Sequence, residues 1–396
     1  MMQTMRKITL LSLSLMLTSA LAISTVLPAM LGYFDKYPTE QVEMLITVPS
    51  FAITAMIILN TWLSKVLKER HMIILGLLVM SISGVVPVFA KSYIIILLSR
   101  ILFGLGIGMI NAKAISIFSE YYEGNEKDTL LGYRGSAEVL GNAIMTLVAG
   151  RLLLIKWNYA FLVYALGFVI LFMYLTFIPN KKTTEENIIS SEQNKEKFSS
   201  GAILTTILYT LLAGILVCIN CSNSMRIPML VLERKFGTES DASIVLSVLM
   251  ITGIIAGILF GKISELFKKN IFGGSLILLG CGIGIIAFSG NMIILGIGAV
   301  VTGFFYTTAL TCVFSGISDK VPQNIVNTAT SVILVGCNLG GAFSPMILKG
   351  IGKINASTEM PFLFYMGMVV VIGIIVLFNT FVKKEDCKSL NIKTEE

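Results

Sequence analysis

The chain has 396 residues, of which 55% are hydrophobic and 13% are charged, and its mean hydropathy is +0.85. Soluble domains carry about a quarter charged residues, so this composition excludes an ordinary soluble domain and indicates a polytopic membrane protein. The net charge of +7 is spread over short loops between apolar runs. Such a distribution is typical of membrane topology and excludes a nucleic-acid-binding groove.

Twelve apolar runs, numbered here as spans 1 to 12, follow one another along the chain. Each has about the 20 residues that cross a ~30 Å hydrocarbon core as a helix. The first six are predicted at residues 8–33, 44–63, 72–90, 93–115, 132–154 and 159–178. The second six are predicted at residues 203–226, 242–260, 271–288, 292–314, 327–347 and 362–382. The sequence therefore predicts an all-α membrane protein with 12 transmembrane helices.

Lys and Arg residues set the expected orientation. If the N-terminus is cytoplasmic, nineteen of them fall in cytoplasmic segments and nine in external segments. Because cytoplasmic loops carry the excess of basic residues, both termini are expected to be cytoplasmic, in a multi-pass protein of the cell membrane.

The two halves of the chain repeat each other at an offset close to 200 residues. Leu27-Pro28 at the end of span 1 is matched by Ile227-Pro228 at the end of span 7. The loops after spans 2 and 4 have similar counterparts after spans 8 and 10. We therefore predict two pseudo-symmetric six-helix bundles, at residues 1–178 and 203–382. A cytoplasmic linker at residues 179–202 joins them, and residues 383–396 form a cytoplasmic tail. Parallel repeats of this kind place a substrate path between the halves.

No pattern of residues in the sequence indicates an enzyme or a cofactor. The six cysteines all lie in the second half, five of them in apolar segments, so neither disulfides nor a metal site is expected. The sequence contains no recognisable nucleophile motif, metal cluster or phosphate loop.

Several short motifs carry a resemblance to a known family. The loop after span 2 contains Ser64, Lys65 and Lys68, and the corresponding second-half loop contains Gly261, Glu265 and Lys268. Both resemble the pattern Gly-x-x-x-Asp-Arg-x-Gly-Arg-Arg, in degraded form. Span 4 contains Arg100 followed by Gly104, and span 11 contains Asn338-Leu339-Gly340-Gly341 followed by Pro345.

On these motifs, and over essentially its whole length, the sequence resembles the major facilitator superfamily. The resemblance implies a monomeric secondary transporter that works by alternating access between two bundles. It also points towards the drug:proton antiporter branch, although span 5 lacks the Gly-Pro motif usual in that branch. The two loop motifs are expected to act as gating loops, since in the family they lock one state of the cycle.

Three ionisable residues lie within the predicted spans of the first half: Arg100, Lys113 and Glu138. A charge near the bilayer centre costs about 2.5–3.5 kcal/mol on insertion scales, so these residues are candidates for function. Arg100 is expected to face the central cavity, where it would assist proton coupling or hold a substrate anion. Lys113 and Glu138 lie at similar depth and are expected to pair, either as a structural lock or with Glu138 as the proton site. Asn142, one turn above Glu138, could bridge towards the cavity.

The second half offers polar residues rather than deep charges. The candidates for the substrate cavity are Asn220, Asn223, Arg226, Tyr306 and Asn338. For each Asn, a hydrogen bond between helices is the simpler interpretation than contact with a ligand.

The sequence favours a proton-coupled exporter of small amphipathic compounds or drugs, with efflux and multidrug resistance as its biological setting. The expected partners are a small-molecule substrate, protons and the lipid bilayer. One alternative is uptake or facilitated transport of a small anionic metabolite, held by Arg100 or Arg226. An alternative of another class is a membrane receptor or scaffold that no longer transports.

Overall fold

The protein is almost entirely helical. The structure is a computed structural model and describes residues 2–122, 124–178, 200–267, 270–322, 325–355 and 357–392. All twelve predicted spans are helical within these ranges, and the ranges contain no strand. This result confirms the predicted fold class, because backbone groups in lipid must find their hydrogen bonds within the crossing segment.

Each half contributes six spans. In the first half, span 1 comprises Met2–Ser14 and Leu27–Tyr33, with two short turns of 3-10 helix between them. Span 6 begins as the 3-10 helix Trp157–Ala165 and continues as the α-helix Leu166–Phe177. Spans 2 to 5 are Thr39–Val66, Glu69–Phe89, Tyr93–Tyr121 and Gly124–Leu152. Spans 7 to 12 are Ser200–Glu233, Glu239–Phe267, Ile271–Ala287, Met292–Lys320, Val326–Gly352 and Met360–Ile392.

Within the described residues, nine of these helices are long and apolar enough to cross a membrane, and the bent pair that makes up span 1 adds a tenth. The two remaining spans have identifiable differences. Span 5 begins with a charged turn at Gly124, and span 9 has 17 residues, just below the usual length.

Span 1 is broken where its counterpart in the second half is continuous. Its two parts, Met2–Ser14 and Ser19–Tyr33, meet at an angle of 56°. The last α-helical segment of the second part begins at Leu27, with Pro28 in its first turn, where proline is tolerated. Span 7 carries the equivalent Pro228 inside one unbroken helix. The internal repeat is therefore preserved in helix order but not in the geometry of these two spans.

Two of the predicted boundaries concern the ends of the bundles. Span 12 continues as a helix to Ile392, well beyond residue 382, where the polar tail was expected to begin. The predicted linker at residues 179–202 lies outside the described residues except for its last three positions, which already belong to span 7.

The two halves meet along a few specific helix pairs. Span 2 packs against span 11, span 5 packs against span 8, and the second part of span 1 packs against span 7. With twelve crossings, Met2 and Ile392 lie on the same side of the membrane, which we call the terminus side. The opposite side is called the distal side. Because the terminus side is the one predicted to be cytoplasmic, the distal side is the predicted external one.

Candidate functional site

An ion pair joins the two halves of the molecule. Glu43 of span 2 lies in the first half and Arg226 of span 7 in the second, and their Oε1 and Nη2 atoms are 2.7 Å apart. The Glu43 side chain is only 1% exposed, and that of Arg226 is 13% exposed. Because burying two charges is costly unless they are paired, each residue depends on the other half for its counter-charge.

Glu43 was not predicted as a site residue. The predicted span 2 begins at residue 44, which left Glu43 in the preceding loop and made Glu138 the only acidic residue within a span. The helix in fact begins at Thr39, so Glu43 lies one turn inside it. An acidic residue near the start of a helix is favoured by the helix dipole, so its presence there did not mark it as functional.

A second, more exposed ion pair lies nearer the distal surface. Lys349 of span 11 donates to Glu40, one turn before Glu43 on span 2. Spans 2 and 11 make another contact between the halves. The rings of Phe51 and Phe343 meet edge to face with their centroids 5.1 Å apart. All these contacts lie in the distal half of their helices.

Spans 5 and 8 make a matching set of contacts between the halves. The Ser247 hydroxyl donates to the Ala143 carbonyl oxygen over 3.0 Å. Gly150 lies so close to Ser243 that a methyl group on Gly150 would overlap the serine side chain. These residues also lie in the distal half of their helices, so the two halves close on each other at the distal side.

Polar residues continue inward from the buried ion pair on both helices. On span 7, Asn223 and Asn220 follow Arg226 at successive intervals of three residues, which keeps them on one face. On span 2, Thr47 follows Glu43 by one turn. We call the residues Glu43, Thr47, Asn220, Asn223 and Arg226 the polar seam.

Span 11 packs against both helices of the polar seam. Glu43 and Arg226 are in contact at its distal end. At its inner end, a methyl group on Gly341 would lie 3.2 Å from the Cys221 sulfur and 3.7 Å from the Ser50 hydroxyl. Gly341 of span 11 therefore lies between span 2 and span 7 at the depth of Ser50 and Cys221.

Several polar atoms of the seam are buried without a partner. Asn223 is almost fully buried, and neither its Nδ2 nor its Oδ1 has a hydrogen-bond partner among the described residues. The same holds for the Nε atom of Arg226, the hydroxyl of Thr47 and the Oδ1 atom of Asn220. Buried polar groups are normally satisfied by protein, water or ligand, so this cluster of atoms is the best candidate for a binding site.

The other two predicted cavity residues lie away from the ion pair. Tyr306 of span 10 is half-buried and lies near Cys221 and Cys337. The Asn338 amide donates to the Leu334 carbonyl oxygen of its own helix, over 3.0 Å. Asn338 thus bonds within its helix, whereas a bond between helices was expected.

Arg100 occupies a different place from the one predicted. It is fully buried inside the first half and does not lie on a cavity wall. Its Nε donates to the Leu45 carbonyl oxygen over 2.8 Å, and its Nη2 donates to the Ala20 carbonyl oxygen over 2.9 Å. The guanidinium also lies over the rings of Phe103 and Tyr164, 4.7 and 5.4 Å from their centroids. Arg100 therefore ties span 4 to spans 1 and 2.

The expected pair between Lys113 and Glu138 is not formed. Lys113 instead donates to Glu69 at the start of span 3, over 2.7 Å. Glu138 lies 3.8 Å from Arg134, one turn away on its own helix. Lys113 and Glu138 are thus engaged with different elements, because span 3 lies closer to Lys113 than span 5 does. Asn142 is buried, and its Oδ1 has no partner within the described part of the chain.

The gating loops are described only in part. Ser64 and Lys65 lie in the last turn of span 2, and Lys68 is exposed in the turn that follows. Gly261 and Glu265 are exposed near the end of span 8, and Lys268 lies outside the described residues. In the first-half loop, Arg70 donates to the Ile178 carbonyl oxygen at the end of span 6.

Twelve helices in two halves, with buried polar groups where the halves meet, define a membrane transporter. The sequence profile described as Major Facilitator Superfamily matches residues 9–225 and again residues 210–392. The chain belongs to this superfamily. It is therefore a secondary transporter and a multi-pass membrane protein.

Solved structures of other transporters share this fold. A D-xylose-proton symporter superposes with a TM-score of 0.75 at 13% identity, covering 95% of this chain and 97% of the symporter. A bacterial homologue of the human lysosomal transporter Spinster, in an inward-facing and occupied conformation, gives a TM-score of 0.70 at 18% identity, covering 96% and 97%. The peptide transporter POT in complex with sulfate gives 0.72 at 14% identity, covering 94% and 93%.

At sequence identities this low, the similarity to these structures shows only that the fold is shared. No curated protein matches the sequence. The superfamily and the structural neighbours are transporters rather than enzymes, and a transporter of this type binds a small-molecule substrate within the bilayer.

Proposed function

We propose that the protein is a proton-coupled secondary transporter of small amphipathic compounds, and that the ion pair between Glu43 and Arg226 is its coupling element. The observation that carries this proposal is the burial of the pair between the two halves. A proton on Glu43 removes its negative charge and with it the attraction to Arg226. The protonation state of one carboxyl group thereby changes the free energy of closing the distal side.

The structure corresponds, in this proposal, to the state that is closed at the distal side. The support comes from the contacts between the halves named above, which lie in the distal half of the spans. Rocking of the two bundles would separate Glu43 from Arg226 and open the distal side. An elementary charge moved across 100 mV gains about 2.3 kcal/mol, which is enough to drive such a cycle.

Export in exchange for protons is the direction implied by the resemblance to drug-exporting members of the superfamily. The apolar surroundings of the polar seam support an amphipathic substrate, since the Phe51 and Phe343 rings lie next to it. Uptake of a small anion together with protons is the second candidate. It is supported by Arg226, whose Nε atom is buried without a partner among the described residues.

Glu138 and Arg100, the candidates from the sequence, have other roles in this proposal. Glu138 remains a second candidate proton site, since it is largely buried and, among the described residues, its one close charge is Arg134 on the same helix, 3.8 Å away. Arg100 serves to hold spans 1, 2 and 4 together. The protein is proposed to act as a monomer in the cell membrane, with both termini in the cytoplasm.

Reconstituted vesicles test the coupling. The purified protein would be challenged with amphipathic cations, anions and neutral compounds, with and without an imposed pH gradient and a protonophore. We expect Glu43→Gln to abolish proton-driven accumulation while exchange of substrate between the two sides continues. The control is Glu233→Gln, the same change at the distal end of span 7. Unchanged proton-driven transport in Glu43→Gln would reject Glu43 as the coupling residue.

A further inference from the structure

We infer that the polar seam binds a monoanionic head group, of the carboxylate type, together with one proton on Glu43. This inference rests on the second candidate of the proposed function, because it assigns the substrate class to the same ion pair. The ligand would be a small amphipathic organic anion, with its head in the seam and its apolar part among the neighbouring aromatic and aliphatic side chains.

The donors of the seam point to an anionic group. The Nε atom of Arg226 and the Nδ2 atom of Asn223 are both buried and unmatched within the described residues. The two residues lie three positions apart on one face of span 7. Two N–H donors one turn apart, one of them from a guanidinium, suit the two oxygens of a carboxylate.

The acceptors of the seam point to a proton. The Oδ1 atom of Asn223 and the hydroxyl of Thr47 are also buried, and neither has a hydrogen-bond partner among the described residues. A protonated Glu43 would gain an O–H group, and that group needs an acceptor. Because Thr47 lies one turn from Glu43 on the same helix, the seam offers such an acceptor.

The charge balance of the polar seam determines how many ions bind there. With Glu43 ionised, the pair is neutral, and a bound anion would add an uncompensated charge in a buried place. With Glu43 protonated, Arg226 has lost its counter-charge, and one monoanion restores neutrality. Proton and anion therefore bind together, in a ratio of one to one, and each promotes the binding of the other.

Other charged groups near Glu43 do not alter this balance. Glu40, one turn away on the same helix, is paired with Lys349 of span 11. Arg100 of span 4 reaches the same helix, but its guanidinium is held by the carbonyl oxygens of Leu45 and Ala20. The parts of span 1 that pack on span 2 contain no Asp, Glu, Lys or Arg.

The residues of the polar seam differ in exposure. Arg226 retains 13% exposure and Asn220 is half-buried, whereas Glu43 and Asn223 are almost fully buried.

Binding of hexanoate to the purified protein tests the inference without measuring transport. Hexanol and hexylammonium serve as matched neutral and cationic probes. We expect hexanoate to bind with uptake of about one proton, measured as the heat of binding in buffers of different ionisation enthalpy. We expect hexanol and hexylammonium to bind at least about tenfold more weakly. Preference for hexylammonium, or absence of hexanoate binding, would overturn the inference.

Three variants separate the roles of the seam residues. Asn223→Ala and Arg226→Lys are expected to weaken hexanoate binding by about tenfold or more, and two different changes guard against a single misfolded variant. Glu43→Gln is expected to bind hexanoate without proton uptake, so that its affinity no longer depends on pH. Lys353→Gln, which removes an exposed charge at the end of span 11, is the control.

The outcomes distinguish this inference from the proposed coupling role. Proton-linked binding of hexanoate that is lost in the seam variants supports the inference, even if Glu43→Gln still accumulates substrate along a pH gradient. Unchanged hexanoate binding in both Asn223→Ala and Arg226→Lys would overturn it, even if Glu43→Gln proves uncoupled in vesicles.

Discussion

The Arg100 guanidinium donates from Nη2 to the Ala20 carbonyl oxygen, 2.9 Å away, inside the break of span 1. The same break also receives a hydrogen bond from the Tyr164 hydroxyl, which donates to the Ser19 carbonyl oxygen over 3.0 Å. A broken helix exposes carbonyl groups that lack their usual partners, and such groups are costly in a membrane. Arg100 supplies such a partner to the Ala20 carbonyl group, and Tyr164 adds a second donor to the Ser19 carbonyl group, which also accepts from the Ala22 N–H. Both side chains therefore stabilise the bend of span 1.

Replacement of Arg100 by leucine is expected to lower stability. It would leave the Ala20 and Leu45 carbonyl groups buried without their donor, at a cost of about 2–4 kcal/mol. Thermal unfolding in detergent would measure this loss. Arg151→Leu, at an exposed position at the distal end of span 5, should change stability by about 0.5 kcal/mol or less. If Arg100→Leu remained as stable as the wild type but stopped transporting, the cavity role predicted from the sequence would be favoured instead.

Charge reversal can identify the partner of Lys113. We expect Lys113→Glu to impair the protein, and we expect Glu69→Lys in the same chain to restore it partly, because the two side chains are 2.7 Å apart. The coupling energy of such a partly exposed pair is about 0.5–1 kcal/mol. Lys113→Glu combined with Glu138→Lys is the matched control and should show no recovery. Recovery in that control alone would reinstate the predicted pair.

The fold could be predicted from the sequence because its cause is local. Each span needs about 20 apolar residues, and that requirement can be read without knowing where the helix packs. Helix ends were less predictable, because they depend on capping and on neighbours. The start of span 2 differs by only five residues, from 44 to Thr39, yet this difference concealed Glu43.

The site was harder to predict because it depends on contacts between distant parts of the chain. Arg226 was recognised as a candidate, but nothing in the sequence pairs it with Glu43, 183 positions earlier. Lys113 was paired with Glu138 because the sequence places both at equal depth. It pairs with Glu69 instead, because span 3 lies closer to Lys113 than span 5 does. The break in span 1, which determines where Arg100 is needed, has no strong local signal, since Pro28 lies at the start of its second helical part.

The two ion pairs between the halves should differ sharply in importance. The pair of Glu40 and Lys349 is exposed, with side chains 26% and 52% accessible, and exposed pairs contribute about 0–1 kcal/mol. The pair of Glu43 and Arg226 is buried, and removal of one partner leaves an uncompensated charge. Glu43→Gln should therefore open the distal side far more often than Glu40→Gln, the same chemical change one turn away.

A cysteine at position 247 reports that opening. Ser247 is buried between spans 5 and 8 in the distal half, where its hydroxyl donates to Ala143. Labelling of Ser247→Cys by a membrane-impermeant maleimide is expected to rise about tenfold with Glu43→Gln. With Glu40→Gln it should stay within about twofold of the background. Equal labelling in both backgrounds would show that the buried pair does not hold the distal side closed.

Close packing of spans 7 and 11 should make Gly340 intolerant of a side chain. A methyl group on Gly340 would overlap the carbonyl group of Gly214 in the neighbouring helix. Backbone cannot move aside as a flexible side chain can, so Gly340→Ala is expected to cost about 1–3 kcal/mol. At Gly257 of span 8, by contrast, a methyl group would meet no atom of the described residues within 4 Å. Gly257→Ala is therefore the matched control and should be neutral or stabilising by up to about 1 kcal/mol, because alanine favours the helix. Thermal unfolding of both variants in the same detergent decides the question, and equal stability of the two would contradict the packing of spans 7 and 11 described above.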